Sequence, residues 1–425
     1  MRSSLVSHGA AVSKAQKQVS SLKTKLNNGL TLVAQDNQGA VSQLVLAFRA
    51  GSRYQSPSQN GLVHHIRNFV GRDAQSYPGL QLVWSAAASG ATINSFATRD
   101  IFGVHISVPR DQTSYVLPIL GHAAAKPAFK PWEFEDVNPT VLADIAAKSA
   151  YTIAFEDIHR AAYRTGNLSN SLYASKKDVG KFKSNEYTDF ANKHFVTGNG
   201  VLVGVNVDSS ILKSYADEYE TIANGGAVSN GAAPFKGGDY RRAARGNDVH
   251  IMIAGNGATI GDVKAIATQH VLLQHLGKSS PLKFATLPGS TAGLAKLPTG
   301  AHGSAFQALY DGSGLVGAYV LANGSDGETA AKATVDALRN PKIKNLEDCK
   351  TRAVREILFS QENSTQTAYD LATTSLHNGP EHADLIAAIN KVTASDIDQF
   401  AKKAFAKLAI SCYGNHSRVP YSDEF

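Results

Sequence analysis

The feature that most limits the fold of this chain is an internal repeat. Four elements of the first half recur in the same order in the second half, at offsets between 204 and 210 residues. They are Ala50-Gly51 with Ala254-Gly255, His64 with His270, Asn68 with Gln274, and Phe190–Phe195 with Phe400–Phe405. A period this long exceeds the repeat length of solenoid proteins and predicts two similar domains in tandem.

Each half mixes strand-like and helix-like patterns. This predicts the α+β class, with one mixed or antiparallel sheet and packed helices in each domain. A stretch rich in glycine, serine and alanine follows residue 224 and has the composition of a linker. We therefore predict an N-terminal domain over 21–226, a linker over 227–245 and a C-terminal domain over 246–425. In the C-terminal domain, the longest helical pattern predicts one helix over Leu346–Leu371.

The amino-terminal segment is basic. Residues 1–35 contain five Lys or Arg residues and no Asp or Glu, and Ser and Ala are frequent. No apolar segment of a secretory signal follows, so we interpret residues 1–20 as a mitochondrial transit peptide, with a disordered basic tail as the alternative. The net charge of the whole chain is only +7, and no basic stripe with interleaved aromatic residues indicates nucleic-acid binding. No apolar run is long enough to predict a membrane-spanning helix.

The segment Gly61–Phe69 is similar to the active-site helix of an inverted zinc peptidase. Such an enzyme reads His-x-x-Glu-His, in which two histidines four residues apart bind one zinc ion. The glutamate between them activates the zinc-bound water. Here His64 occupies the first histidine position, but Arg67 replaces the glutamate and Asn68 replaces the second histidine.

The third ligand position is altered as well. Asp144 lies 76 residues after Asn68 on a helical pattern, where peptidases of this type place a glutamate. Asn offers zinc only a neutral amide oxygen, and Arg cannot take up a proton as a general base. We therefore predict that this degenerate site has no catalytic residue and binds no metal and no cofactor. We expect Arg67 to pair with Asp144 in a structural role.

Two basic clusters are further candidates for binding. They are Lys176, Lys177, Lys181 and Lys183 in one segment, and the arginines of Tyr240–Arg245 in the other. Solvated surfaces are the ordinary interpretation of such clusters. A protein partner or an anionic lipid headgroup is the alternative.

Several segments beyond the altered motif resemble the pitrilysin-type (M16) metallopeptidase family along nearly the whole chain. They are Phe48–Tyr54, Phe129–Glu133, His159–Tyr163, Gly312–Gly317 and Val419–Phe425. Members of this family form two α+β halves that close like a clam around a cavity. The resemblance implies the same bowl here, and the altered site is most similar to that of the non-catalytic members.

The resemblance also implies partners and a location. Non-catalytic members of this kind form part of a dimeric respiratory complex. The expected partners are a paired homologous subunit (core protein 1), cytochrome b, cytochrome c1, the iron–sulfur protein and small subunits. The chain would then lie on the matrix side of the mitochondrial inner membrane, peripheral to the bilayer and without a redox centre of its own.

Two alternative functions remain open from the sequence. One is a subunit of a mitochondrial processing peptidase, and the other is a free soluble protein that holds a peptide in its cavity. In the processing peptidase, the non-catalytic subunit carries a dense glycine loop that handles presequences. The segment Pro281–Gly303 contains four glycines and is sparser than that pattern.

Overall fold

The computed structural model describes residues 22–218, 221–229, 231, 233–278 and 292–425. The predicted transit peptide, 1–20, lies outside the described residues. Within them the chain forms two mixed β-sheets with helices packed against both. This arrangement confirms the predicted α+β class.

Six strands form the first sheet: β1 (Leu22–Lys25), β2 (Thr31–Gln35), β3 (Val41–Phe48), β4 (Thr92–Ala97), β5 (Phe102–Pro109) and β6 (Gly200–Val205). Their spatial order is β1-β2-β6-β3-β5-β4. Only the β2–β6 pair is parallel, and the other described pairs are antiparallel. All residues of β6, which reads Gly-Val-Leu-Val-Gly-Val, are buried. A strand that is apolar on both faces needs a covering layer on both sides of its sheet.

The helices of the first half are α1 (Leu62–Phe69), α2 (Gly79–Ala88), α3 (Thr113–Ala125), α4 (Phe134–Ala146), α5 (Ala150–Tyr163), α6 (Ser184–His194) and α7 (Ser209–Glu218). All of them except α5 contribute to one hydrophobic core with one face of the first sheet. Burial of this core is the main favourable contribution to folding in this half. Helix α2 is not apparent from periodicity, because its sequence is apolar on both its buried and its exposed side.

The second sheet has five strands: β7 (Gly238–Arg242), β8 (Asp248–Asn256), β9 (His302–Tyr310), β10 (Ser313–Asn323) and β11 (Ala409–Gly414). Their order is β7-β11-β8-β10-β9, and only β7 with β11 is parallel. Strand β7 lies inside the segment 227–245 that the sequence suggests as a linker. Its polar sequence Gly-Asp-Tyr-Arg-Arg suits an edge strand and gives no apolar signal.

The helices of the second half are α8 (Val263–Leu276), α9 (Gly327–Arg339), α10 (Leu346–Glu362), α11 (Ser364–Leu376), α12 (His382–Lys391) and α13 (Ala394–Ala404). The prediction of one helix over Leu346–Leu371 is wrong, because the helix ends before Asn363 and a second helix begins after it. Asn363 has an extended backbone, and its side chain accepts hydrogen bonds from the amides of Thr365 and Gln366. It therefore caps a new helix.

One helix of each half packs against the sheet of the other half. Ala154 and Ile158 of α5 pack with Met252 of β8 in the second half. Conversely, Ala368 and Ala372 of α11 pack on the face of the first sheet that the first-half helices leave open. These exchanged helices cover the second face of each sheet. The division of the chain into domains over 21–226 and 246–425 stays a prediction, which the two separate sheets support.

Candidate functional site

Helix α1, which carries the altered zinc-peptidase motif, begins at a glycine in a left-handed conformation. Gly61 has φ +94°, and its amide donates a 2.7 Å hydrogen bond to the Gln55 side chain. A Cβ atom at this position would lie 2.6 Å from Cα of Ala174. Glycine is therefore required here both by the backbone angle and by the close approach of the segment around Ala174.

The three motif side chains of α1 converge on one carboxylate of α4. Nε2 of His64 lies 3.1 Å from Oδ2 of Asp144, and Nδ2 of Asn68 donates to the same oxygen at 3.2 Å. The guanidinium of Arg67 also donates to Oδ2 of Asp144 and forms an ion pair with it. The structure thus brings together all four residues predicted from the sequence, and the expected Arg67–Asp144 pair is present.

Burial and hydrogen bonding hold His64 in one neutral form. Its side chain is fully buried, and Nδ1 accepts a 3.2 Å hydrogen bond from the backbone amide of Ala174. Because Nδ1 is an acceptor, the proton of the neutral ring is on Nε2 and is donated to Asp144. Burial, together with the positive charge of Arg67, lowers the pKa of His64 to about 4. His64 is therefore uncharged at neutral pH.

The carboxylate of Asp144 is stabilised in its ionised form. Burial would raise its pKa, but hydrogen bonds from Asn68 and His64 and the charge of Arg67 lower the pKa below its usual value. Asn68 also donates a 3.0 Å hydrogen bond to the backbone oxygen of His64, one turn earlier in α1. The result is a compact cluster in which a single carboxylate oxygen receives three donors.

Comparison with known proteins agrees with this geometry. The family model described as Insulinase (Peptidase family M16) matches residues 30–176, a range that contains both α1 and Asp144. The predicted resemblance to the M16 peptidase family is confirmed.

Relatives of the chain extend the similarity over almost its full length. It is 27% identical to cytochrome b-c1 complex subunit 2, mitochondrial, of Homo sapiens, over 94% of this chain and 91% of the relative. It is 26% identical to the protein of the same name from Cryptococcus neoformans var. grubii, over 93% of this chain and 92% of the relative. Mitochondrial-processing peptidase subunit alpha-2 of Dictyostelium discoideum is 25% identical, over 90% of this chain and 89% of the relative.

The residues of this four-residue cluster do not fit a catalytic zinc ion. Only His64 and Asp144 retain donors that zinc favours, whereas a catalytic site needs three protein ligands. The guanidinium of Arg67 contributes a positive charge beside Asp144, which opposes a divalent cation there. Among the residues that the structure describes, no group of three or more His, Cys, Asp or Glu side chains could hold a metal ion.

The hydrogen bond from Ala174 adds an obstacle that sequence reasoning missed. A neutral histidine that binds zinc through Nε2 carries its proton on Nδ1. In that tautomer the Nδ1 proton of His64 would face the amide proton of Ala174, and two donors would oppose each other. A backbone amide has no signature in the sequence, so only the structure could reveal this contact.

The second half of the chain contains a second carboxylate cluster, which includes the repeat position Gln274. Gln274 on α8 donates a 2.6 Å hydrogen bond to Oε2 of Glu356 on α10, and Lys278 forms an ion pair with the other oxygen. His270 instead accepts a hydrogen bond from Gln307 of β9 at 3.3 Å. Glu356 and Lys278 were not found from the sequence, although Glu356 follows Gln274 by 82 residues, close to the spacing in the first half.

Proposed function

We propose that this chain is a non-catalytic structural subunit of the mitochondrial cytochrome b–c1 complex. The observation that carries the proposal is the ion pair between Arg67 and Asp144, which occupies the place of the base and ligand of an M16 peptidase. An enzyme of this type needs a group that takes a proton from water at neutral pH. Arg67 is permanently protonated, and His64 has its donor proton engaged by Asp144.

The cluster has a mechanical role in this proposal. It joins α1 to α4 through three donors on one carboxylate, and Ser95 of β4 donates a 2.9 Å hydrogen bond to the backbone oxygen of Arg67. The sequence positions that would bind zinc and water in a peptidase of this type thus hold two helices and an edge strand together. Such a cluster supports a rigid surface for assembly.

The proposed setting is the matrix side of the mitochondrial inner membrane. The relatives named as subunit 2 of the cytochrome b-c1 complex support membership of this assembly. The proposed partners are core protein 1, cytochrome b, cytochrome c1, the iron–sulfur protein and small subunits. Within the described residues, no helix is long and apolar enough to span a bilayer, which fits a peripheral position in that assembly.

A subunit of the mitochondrial processing peptidase is the second candidate. The similarity to the Dictyostelium relative named as its alpha subunit favours it. The charge around the site argues against it, because transit peptides are rich in Arg and poor in acidic residues. Arg67 lies beside His64, and Lys148 lies 5.0 Å from the ring of Tyr173, which itself contacts His64. Because Arg67 already pairs with Asp144, an arginine of a presequence would have to displace Arg67 to bind there.

Native gel electrophoresis of the detergent-solubilised endogenous protein separates the two candidates. Comigration with cytochromes b and c1, with no zinc retained by the purified chain after chelator treatment, is the expected result. Recovery in a soluble heterodimer that cleaves a presequence peptide would contradict the proposal. Stoichiometric zinc that resists chelation would contradict the non-catalytic role even if the chain comigrates with the cytochromes.

A further inference from the structure

Both tryptophans of the chain lie on the surface. The sequence contains only two, and the side chains of Trp84 and Trp132 are 67% and 66% exposed. Tryptophan is large and is usually well buried on average. Two tryptophans exposed to this extent therefore indicate a surface that contacts another molecule or a membrane when the protein functions.

Trp84 belongs to an apolar stripe on α2. Leu80, Val83 and Trp84 are exposed at helical spacings i, i+3 and i+4, while Leu82 and Ala86 of the same helix are buried in the core. The surrounding segment, residues 74–98, contains no Asp, Glu, Lys or Arg. Helix α2 is thus apolar both on the side that faces the protein and on the side that faces solvent.

Hydrogen bonds connect this helix to the segment that carries Trp132. The amide of Gly79, at the start of α2, donates to Asp73 at 2.8 Å. The amide of Asp73 in turn donates to Glu133 at 2.8 Å, next to Trp132. Two hydrogen bonds through Asp73 therefore link the start of the Trp84 helix to the residue next to Trp132.

Lysines border the same region. The ammonium of Lys130 lies 5.5 Å from the ring of Trp132. Ser184 donates a 2.7 Å hydrogen bond to the backbone oxygen of Phe129. This bond brings the end of the lysine segment 176–183 close to the residues that precede Trp132. That segment carries four exposed lysines: Lys176, Lys177, Lys181 and Lys183.

The acidic groups nearby have local partners. Asp136 pairs with Arg72 at 2.8 Å, and Asp178 lies 3.6 Å from Lys181. Glu133 accepts backbone hydrogen bonds, and Glu186 accepts from the amide of Lys183. The exposed Glu135 adds one negative charge. These carboxylates keep their charge, so acidic and basic side chains are mixed at this surface. Among the described residues, however, Lys130, Lys176, Lys177 and Lys183 form no ion pair, and their ammonium groups can meet an external anionic group.

We propose that this surface, defined by Leu80, Val83, Trp84, Trp132, Lys130 and the lysine segment 176–183 and called here the Trp–Lys face, docks directly on an anionic membrane surface. Exposed Trp together with Lys suits the interface of a bilayer, where the rings lie at the headgroup level and the ammonium groups meet anionic headgroups. Protein interfaces are also enriched in Trp but depleted in Lys, so the lysines favour a membrane over a protein partner. This contact goes beyond membership of a complex and is a property of the chain itself.

Sedimentation of the full chain with lipid vesicles tests the proposal. The chain is expected to bind phosphatidylcholine vesicles that contain about one fifth phosphatidylglycerol, and not vesicles of phosphatidylcholine alone. Each lysine near such a surface contributes about a fivefold gain in partitioning, so the combined Lys176→Gln, Lys177→Gln, Lys181→Gln and Lys183→Gln variant should bind at least about tenfold more weakly. Trp84→Ser should weaken binding several-fold, since an apolar anchor is lost.

Matched variants in the second half serve as controls. Lys391, Lys402, Lys403 and Lys407 are exposed lysines, and their replacement by Gln gives the same change in net charge. Phe359→Ser removes an aromatic side chain that is likewise exposed. Both lysine variants keep the basic residues 1–20, so a contribution from that segment cancels. Equal losses of binding in the two lysine variants would overturn the proposal, because binding would then follow net charge alone.

Fluorescence gives a second readout that does not depend on weakened binding. In a Trp132→Phe variant, Trp84 is the single reporter, and its emission should shift to shorter wavelength when anionic vesicles are added. An unchanged emission together with sedimentation that is independent of lipid would overturn the proposal. Self-association that Trp84→Ser abolishes, without any dependence on lipid, would assign the face to a second copy of the chain instead.

Discussion

Each half of the chain places a carboxylate cluster between two helices, α1 and α4 in the first half and α8 and α10 in the second. The donors that bind the carboxylate differ between the halves. In the first half, His64, Arg67 and Asn68 all donate to one oxygen of Asp144. In the second half, Gln274 and Lys278 divide the two oxygens of Glu356 between them. Both clusters pair one carboxylate with one permanent or near-permanent cation. The pairing of charges is thus common to the two halves, whereas the convergence of three donors on one carboxylate oxygen belongs only to the first.

The starts of helices α1 and α8, which carry the repeat positions His64 and His270, differ even more strongly between the halves. Helix α1 begins at Gly61, with a positive φ and with Ala174 in close contact, whereas α8 begins at Asp262, whose side chain accepts from the amide of Ala265 at 3.0 Å. We expect Gly61→Ala to destabilise the protein by about 3 kcal/mol, because both the backbone angle and the space exclude a Cβ. Asp262→Ala should cost only about 1 kcal/mol, the ordinary loss of a helix cap.

Urea unfolding at neutral pH measures this difference. Gly71→Ala is a useful control, because Gly71 also has a positive φ but its added Cβ would meet only the end of Val83 at 3.7 Å. That variant isolates the cost of the backbone angle. Similar losses for Gly61→Ala and Asp262→Ala would contradict the view that the site helix of the first half is the more tightly constrained.

The carboxylates themselves should differ in the next largest effect. Asp144→Asn removes the negative charge from a cluster of three donors, one of them a guanidinium, and we expect a loss of about 2 kcal/mol. Glu356→Gln removes the charge from two donors, and Lys278 can turn its ammonium to solvent, so we expect about 1 kcal/mol. Both pairs are partly exposed to solvent, which keeps these values below those of fully buried ion pairs.

A double-mutant cycle with Arg67→Met tests the origin of the larger loss. If Asp144 acts mainly by compensating Arg67, the two variants combined should cost less than the sum of the single variants. Additive losses would indicate instead that the bonds to His64 and Asn68 dominate. The same cycle with Lys278→Met and Glu356→Gln gives the matching value for the second half.

The sequence predicted much of this site because its signals are residue types at fixed spacing. The motif around His64 and the distance to Asp144 identified the cluster, and the repeat pointed to His270 and Gln274. The sequence could not predict Glu356, because the second half carries no motif that marks it. It also could not predict the contact from Ala174, since every residue except proline has the same amide.

The fold shows the same limit. Periodicity predicted a sheet with packed helices in each half, but not the exchange of α5 and α11 between the halves. A helix pattern shows which side of the helix is apolar and not which sheet that side covers. The break at Asn363 was missed because an asparagine within a long helical pattern acts as a cap only when the chain turns there.

The acid dependence of stability gives a further comparison of the two halves, through His64 and His270. The pKa of His64 is lowered to about 4 by burial and by Arg67, so the unfolded chain binds this proton more readily than the folded one. Stability from this residue is therefore complete above about pH 6.5 and is lost as the pH falls toward 4. We expect the drop in unfolding free energy between pH 7 and pH 4.5 to be about 2 kcal/mol smaller in His64→Gln than in the unaltered chain.

His270 provides the matching measurement in the second half. Burial, together with Lys278, lowers its pKa to about 4 as well, so His270→Gln should reduce the acid-induced drop by a similar amount. Equal effects would show that the two histidines share burial despite their different hydrogen bonds. If His64→Gln and the unaltered chain lost the same unfolding free energy between pH 7 and pH 4.5, His64 would have an ordinary pKa in the folded chain, which would contradict the prediction.

The smallest expected effect is the zinc affinity gained when the ligand residues are restored. In the combined variant Arg67→Glu, Asn68→His and Asp144→Glu, the side chains of a zinc peptidase return, yet the amide of Ala174 still donates to Nδ1 of His64. Zinc at Nε2 would then require the opposed tautomer, so we expect a Kd no tighter than about 1 µM, against the far tighter binding typical of intact sites. Calorimetric zinc titration checks this expectation, since binding as tight as in intact sites would show that the Ala174 contact is no obstacle and that ligand identity alone decides zinc affinity here.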